Sequence, residues 1–503
     1  MSTPYFSAKV AALPPRSTYA VSRVYPRLTV GGAESDILVL LEGIGDTQMI
    51  VTEIEGPAAQ IARKRAAGYL HLEAPRFFNL WMAMQGTPLV HLHTINDHPL
   101  APLAAQFSGA ATIVQTVHND FDAESSHFVD HSIVVADETR WRLAAPNRCT
   151  QVSSGIHVPS EAPQRTAIGT IGRPLRFLEI RRPDKPMTVT LEDILATHQL
   201  DGIEWTATVV GIDAPQGASI DPRITHTGAI ADVEPYLRQA DLLIHGSAVE
   251  TFGRVVFEAM AHGALVMATA LPPFEKAVQE GAAIHLLEHT DPLGAANEVR
   301  GVMGLLNNAN DWAAIRARNY EFVKKHHGTQ LMIARTQAVY VKCTEANRPP
   351  RNFTRDDVTS GDASLFCATL DALMERRTPP SIHQGVLSTR QQAILNWLSI
   401  RFGVVRQTLA VPLLEHAASV LGPRHLLCVD LANAQAKVGN LPQALAWSMR
   451  AVEIDPQKVG SFIACVLIHA ATGQRSLAGT WLERIEAQWP GHPVIAELRQ
   501  KLG

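Results

Sequence analysis

The sequence predicts an α/β protein built from two parallel-sheet halves and followed by an all-α repeat region. Three observations predict it. The stretch from Asp241 to Ala270, DLLIHGSAVETFGRVVFEAMAHGALVMATA, reads as a buried strand, a loop, a helix stopped by Gly263 and a second buried strand. Apolar strands alternate with helical segments from about residue 20 to about residue 345, the pattern of a parallel sheet. In the last third, glycine, alanine and proline recur 34 residues apart.

Composition narrows the class. A chain of 503 residues has room for about three domains, and 46% hydrophobic residues can fill large cores. A net charge of −4 leaves no basic footprint for nucleic acid. Cys149, Cys343, Cys367, Cys428 and Cys465 show no metal-like spacing, which suits a reducing compartment. The first twenty residues lack the apolar core of a signal peptide, and no run is long enough to span a bilayer. The expected location is the cytoplasm.

Taken in order, residues 1–20 carry no clear element. AVSRVYPRLTV reads as a strand running into a loop, Gly31-Gly32-Ala33-Glu34, and SDILVLLEGI as the helix after it. A glycine pair between strand and helix lets backbone N–H groups approach a phosphate, although turn glycines also occur there. TQMIVTEIE is the next strand. Residues 57–84 join the basic run Arg63-Lys64-Arg65 to PRFFNLWMAM, read as a core-facing helix with a peripheral membrane contact as the alternative. PLVHLHTIND and ATIVQTVHNDFD are strands with His93 and His118 at their carboxyl ends. Asp120-Phe121-Asp122 has the spacing of a metal-binding D-x-D. It lies far from the 241–270 unit and is not read as a metal site. HSIVVAD is a strand, ETRWRLA a helix and RCTQVSSGIHVP a strand with its exit loop, ending the first half at residue 157.

The second half spans 165–345. It opens on AIGTIGRP with Arg173, then LRFLEI and the run Arg181-Arg182-Pro183-Asp184-Lys185, which reads either as an anion clamp or as a solvated loop. WTATVVG and ITHTGAI are strands, and DVEPYLRQA is a helix leading into the 241–270 unit. In that unit the helix begins at the carboxyl edge of the sheet, where ligands bind. Backbone N–H groups around Thr251, Phe252, Gly253 and Arg254 are available to an anion there. Glu250 sits in the loop. Glu258 lies about a turn and a half inside the helix, where it can accept the two hydroxyls of a ribose.

Glu250 and Glu258, with seven residues between them, resemble the E-x7-E motif of GT-B-fold retaining glycosyltransferases. The flanking strand, the FG turn and the EAMAHG helix end resemble family 4 of that class. The likeness covers residues 20–345, about two thirds of the chain. It implies two Rossmann-like domains facing a cleft, with the donor against the second and the acceptor against the first. It implies that Glu258 binds the nucleotide ribose, Glu250 the donor sugar, and a lysine and an arginine the diphosphate. Lys185 is the lysine. Arg181 is favoured over Arg182 and Arg173 as the arginine, because the sequence is irregular here. The family's first strand ends in a GGxE loop, which matches Gly31, Gly32 and Glu34, and its T-x-H histidine matches Thr116-Val117-His118. Glu34 and His93 fall on the acceptor side. The family works without a metal, so the only small molecules implied are a nucleotide-sugar donor and the acceptor. The implied reaction is same-face transfer of a hexose-type sugar to a saccharide, lipid-linked or protein acceptor.

Residues 346–364, NRPPRNFTRDDVTSGDAS, read as a linker. Beyond them, over 365–503, Gly439 pairs with Gly473, Ala444 with Ala478 and Pro456 with Pro490. This G…A…P pattern resembles tetratricopeptide repeats, with two clear copies (425–458 and 459–492) and a degenerate one (391–424). Such a surface takes protein partners. Two other readings stand beside the transferase: a repeat-based interaction protein with an inactive GT-B body, and a nucleotide-sugar epimerase on the same fold.

Overall fold

The computed structural model describes residues 20–29, 31–45, 47–72, 76–94, 100–118, 124–163, 174–214, 221–230, 232–306, 309–346, 348, 351–376, 386–404 and 409–503. The expectations at Arg173 and at Asp120-Phe121-Asp122 lie outside these residues. The chain divides into two compact units. The first gathers residues up to Thr29 with Ile44–Gln151 and Gln337–Gly503, and the second Val30–Gly43 with Val152–Thr336.

The first unit holds a seven-stranded parallel sheet, in spatial order Gly68–His71, Gln48–Thr52, Val21–Val24, Leu89–Thr94, Thr112–Val117, His131–Val134 and Cys149–Gln151. The second holds six parallel strands, Ile224–His226, Trp205–Val210, Leu175–Ile180, Leu242–His245, Leu265–Thr269 and His285–Leu287. Its central strands are continuous buried runs, as a sheet covered on both faces requires. Counted along the chain, the second sheet runs 3-2-1-4-5-6. The strand order therefore reverses between Leu175–Ile180 and Leu242–His245, and ligands bind outside the carboxyl ends at such a point. These are Rossmann-like sheets of the GT-B kind, and an all-helical region follows them.

The helix after the glycine pair, Gly32–Gly43, belongs to the second unit although it follows the first strand of the first sheet. Conversely, the helical region does not stand apart. It clusters with the first sheet, and one hydrophobic core runs from Val24, Phe77 and Phe107 through Phe353 and Phe366 to Trp397, Leu414 and Leu431. Phe353 is fully buried, with its ring centroid 4.6 Å from that of Phe107 and 4.8 Å from that of Trp397. The stretch 346–364, expected as a linker, is corrected by this. It carries a helix, Arg355–Thr359, and a core aromatic, because its polar residues are spent on caps and ion pairs rather than on solvent. Thr354 and Asp357 form a capping box, and Asp357 also pairs with Arg424 and Arg390.

Further ion pairs tie the helices to the sheet. Arg148 binds both oxygens of Asp455 at 2.7 and 2.8 Å, Arg351 meets Asp130 at 2.9 Å, and the buried Lys458 ammonium donates to the Ser126 carbonyl at 3.0 Å. Two helical hairpins, His425–Lys437 with Leu441–Ile454 and Val459–Ala471 with Arg475–Gln488, begin 34 residues apart. Gly439 and Gly473 turn each hairpin in the left-handed region, at φ 80° and 74°. Ala444 and Ala478 are fully buried where paired helices approach.

One further expectation changes. ETRWRLA forms a 3-10 turn, Asp137–Arg142, not an α-helix. In PRFFNLWMAM the helix Arg76–Met84 puts Phe77 and Trp81 in the core, and the Trp81 indole donates to the Phe107 carbonyl at 3.0 Å. Those aromatics are not presented to a lipid surface. Among the described residues no helix is long and apolar enough to cross a membrane.

If Phe353 belongs to the shared core, Phe353→Ala should lower the stability of the first unit by ~3–5 kcal/mol. Urea unfolding followed by tryptophan fluorescence measures this. A linker residue would cost almost nothing.

Candidate functional site

The carboxyl ends of the two central strands of the second sheet bring the expected residues together. The loop after Leu175–Ile180 is pinned to the loop after Leu242–His245 by backbone bonds: Thr188 N–H donates to Gly246 O at 2.8 Å and Ala248 N–H to Pro186 O at 2.9 Å. That register sets Lys185 against Glu250. The ammonium donates to Glu250 Oε1, and His245 Nε2 meets the same oxygen at 2.6 Å. The Glu250 side chain is only 9% exposed. Burial pushes its carboxyl up, but the His245 bond and the charges of His245 and Lys185 outweigh burial and hold it below the ordinary carboxylate value.

The helix Arg254–Ala261 starts from Gly253, which stands at φ 78°. A side chain there would be strained, and its Cβ would lie 2.3 Å from the Phe274 ring. Glycine is thus needed for packing as well as for approach to a ligand. Gly253 offers no capping side chain; in the first turn Val256 N–H donates to Gly253 O at 3.0 Å, and no side chain caps the helix start. Thr251 and Phe252 form the turn, with the Phe252 ring packed on Phe257 and His327.

Arg254 does more than supply a backbone N–H. Its guanidinium donates to Glu258 Oε1 at 2.6 Å and to Asp36 Oδ1 at 3.0 Å. Asp36 comes from the helix Gly32–Gly43 and also accepts from Ser154 Oγ at 2.6 Å and Gly155 N–H at 3.2 Å. Burial raises the Asp36 carboxyl above its ordinary value despite Arg254 and these bonds. Gly31 and Gly32 precede this helix, Gly32 beside Arg254 and Gly31 under the Glu34 carboxylate. Glu34 is itself buried and folds back over its own loop.

The three arginines expected at the diphosphate separate. Arg181, the favoured one, is turned into the protein, 2.6 Å from Glu192 and 3.3 Å from the fully buried Glu179. Burial pushes Glu179 up to about 7, against the pull of Arg181. Arg181 thus compensates a buried acid. Arg182 is exposed beside Asp184 at 3.5 Å, and Arg173 is outside the described residues. Among the described residues no cluster of three or more His, Cys, Asp or Glu side chains is arranged to hold a metal ion.

In the first unit, His93 and His118 meet at the carboxyl edge of the sheet. His93 Nδ1 lies 3.2 Å from His118 Nε2, and His91 stacks behind with its ring centroid 4.1 Å from that of His93. His93 is 1% exposed, too enclosed to contact an acceptor directly. Behind the stack, buried Arg23 gives its hydrogen bonds to neutral groups: Gln48 at 2.6 Å, His91 at 2.8 Å and Tyr340 at 2.8 Å. Burial drives His118 down to about 4 and holds His91 and His93 well below the ordinary imidazole value, so all three are neutral near pH 7.

Sequence reasoning missed His245 and Asp36. His245 is legible only as the last residue of an apolar strand, five before Glu250. Asp36 sits 218 residues from Arg254, and no local pattern marks it.

Residues 174–304 match the family described as glycosyl transferases group 1, and this segment contains Lys185, Glu250 and Glu258. No curated protein matches the chain. Among solved structures, HepE of Anabaena in complex with UDP and glucose aligns over 64% of this chain and 99% of its own, at TM-score 0.55 and 14% identity. HepE with UDP-glucose aligns over the same shares at 0.53 and 14%. A glycosyltransferase from Rickettsia africae aligns over 66% of this chain and 100% of its own, at 0.52 and 14%. At these identities the likeness is one of fold.

Arg181→Ala should leave Glu179 buried and unpaired, costing ~3–5 kcal/mol of stability in urea unfolding at pH 8. Adding Glu179→Gln should recover most of that loss. A guanidinium whose task is only to bind ligand would show neither effect.

Proposed function

We propose that the chain is a retaining glycosyltransferase that moves a hexose-type sugar from a nucleotide-sugar donor. The observation that supports this best is the Lys185–Glu250 pair at the switch point of the second sheet, followed at once by an uncapped helix that carries Glu258. Glu258 takes the ribose diol, Glu250 the donor sugar and Lys185 the diphosphate. A helix N-terminus contributes ~0.3–1 kcal/mol to anion binding. Each charge-assisted hydrogen bond contributes ~1.5–3 kcal/mol, so Lys185 dominates diphosphate affinity. With Arg181 held by Glu179 and Glu192, Lys185 is the principal cation. The transfer is metal-independent and proceeds on one face of the sugar, the leaving phosphate accepting the acceptor's proton. His118 is the histidine assigned to the reaction.

The acceptor is a saccharide, a lipid-linked sugar or a protein. The hairpins offset by 34 residues support tetratricopeptide-type repeats in the helical region. An open groove of about 530 Å³ there, lined by Pro423, Ala446, Trp447 and Arg450, favours a protein partner as a second use of the chain.

A thermal-shift screen with UDP-, GDP- and ADP-sugars tests the reading. UDP-glucose is the first probe, since HepE is seen with it. A true donor at 100 times its Kd should stabilise the protein by ~2.7 kcal/mol. Glu258→Ala should weaken nucleotide binding about 10- to 100-fold, the loss of a charge-assisted bond. Glu250→Ala should abolish most transfer while sparing UDP binding. Full transfer activity in Glu250→Ala would refute the role given to the loop carboxylate.

A further inference from the structure

The geometry points to His245 as the positioning residue of Glu250, holding that carboxylate in place while Lys185 leaves it for the donor's diphosphate. This rests on the glycosyltransferase reading of the same site. Glu250 Oε1 accepts from two groups, Lys185 Nζ and His245 Nε2. Only one of them is free to stay. Lys185 is the cation that a diphosphate, with about two negative charges, draws toward itself. Once the ammonium moves, a carboxylate that is 9% exposed loses a charge partner in a low-dielectric setting and either turns away or takes up a proton. In either state it no longer accepts sugar hydroxyls.

His245 is built to prevent this. It ends the strand Leu242–His245, where its backbone pairs with Ala268 and its carbonyl accepts from the Thr269 hydroxyl at 3.3 Å. Its side chain is 4% exposed. The ring stands edge-on to Phe274 at 5.7 Å, and Phe274 is the side chain against which Gly253 packs. The imidazole is therefore wedged between the strand and the FG turn and cannot follow the diphosphate. Among the described residues its buried Nδ1 has no hydrogen-bond partner, and the ring's hydrogen bond there is the Nε2–H given to Glu250. Among the described residues, Lys185 and His245 are the charged or titratable groups that meet Glu250, the lysine from a loop with its side chain 22% exposed and the histidine from the end of a strand with its side chain 4% exposed. The arrangement separates two tasks: the lysine neutralises Glu250 in the resting site, and the histidine keeps it aimed in the loaded one.

The test compares wild type, His245→Leu and His245→Gln, the amide of glutamine offering an N–H near the place of Nε2. Three readouts are taken: UDP affinity, UDP-glucose turnover against pH, and thermal stability against pH without ligand. Because the Glu250 carboxyl is held low, the stability it contributes is present above its unfolded value and is lost as pH falls through the folded one. His245→Leu should move that loss to higher pH, so its stability deficit against wild type is larger at pH 7 than at pH 4. Turnover of His245→Leu should fall about 10- to 100-fold, the scale of a misplaced active-site group. The acid limb of its profile should move up, UDP affinity should stay near wild type, and His245→Gln should restore most of the rate. An unmoved acid limb together with an unchanged stability profile in His245→Leu would overturn the inference, as would a His245→Gln variant no better than leucine. If the stability profiles shift as expected but wild type neither binds nor turns over UDP-glucose, the hold on Glu250 stands and the donor reading falls.

Discussion

The pairing of Lys185 with Glu250 is the contact on which the second unit's site depends. A carboxylate placed at the carboxyl edge of a parallel sheet is largely buried, and burial alone would neutralise it. The fold answers with cations from two neighbouring loops and strands. The same accounting recurs around it: Glu258 and Asp36 share Arg254, and Glu179 and Glu192 share Arg181. Each arginine is thereby assigned before any ligand arrives.

The first unit meets a different constraint. Its helical region contributes to the same hydrophobic core as the sheet, through Phe353, Phe366 and Trp397. Two ion pairs join the helical region to the sheet at that junction, Arg148 with Asp455 and Arg351 with Asp130, so that the docking is specific in register as well as apolar. Behind the strand-end histidines the charge logic is inverted. Arg23 is buried against Gln48, His91 and Tyr340, and the neighbouring histidines stay neutral chiefly because they are buried, with the Arg23 charge pushing His91 and His93 further the same way. His118 therefore works as a neutral hydrogen-bonding ring near pH 7, not as an imidazolium.

Much of this was legible in the chain itself. Alternating apolar strands and helices, the strand–loop–helix of 241–270 and the 34-residue spacing determined the two sheets, their parallel sense and the paired helices, because each follows from local periodicity and turn chemistry. Glu250 and Glu258 were placed in the loop and the helix by their spacing within one strand–loop–helix unit, and Lys185 was picked out by its resemblance to a family pattern. Tertiary structure decided the rest, wherever the answer lay in a contact between residues far apart in sequence. Arg181 and Lys185 are both cations in one short run. Only the carboxylates that reach them, Glu179 and Glu192 for one and Glu250 for the other, tell the two apart. The polar stretch at 346–364 looks like solvent-exposed chain until Phe353 is seen between Phe107 and Trp397. His245 reads as one more strand residue, and it becomes a partner of Glu250 only because the loop after the strand folds back over it.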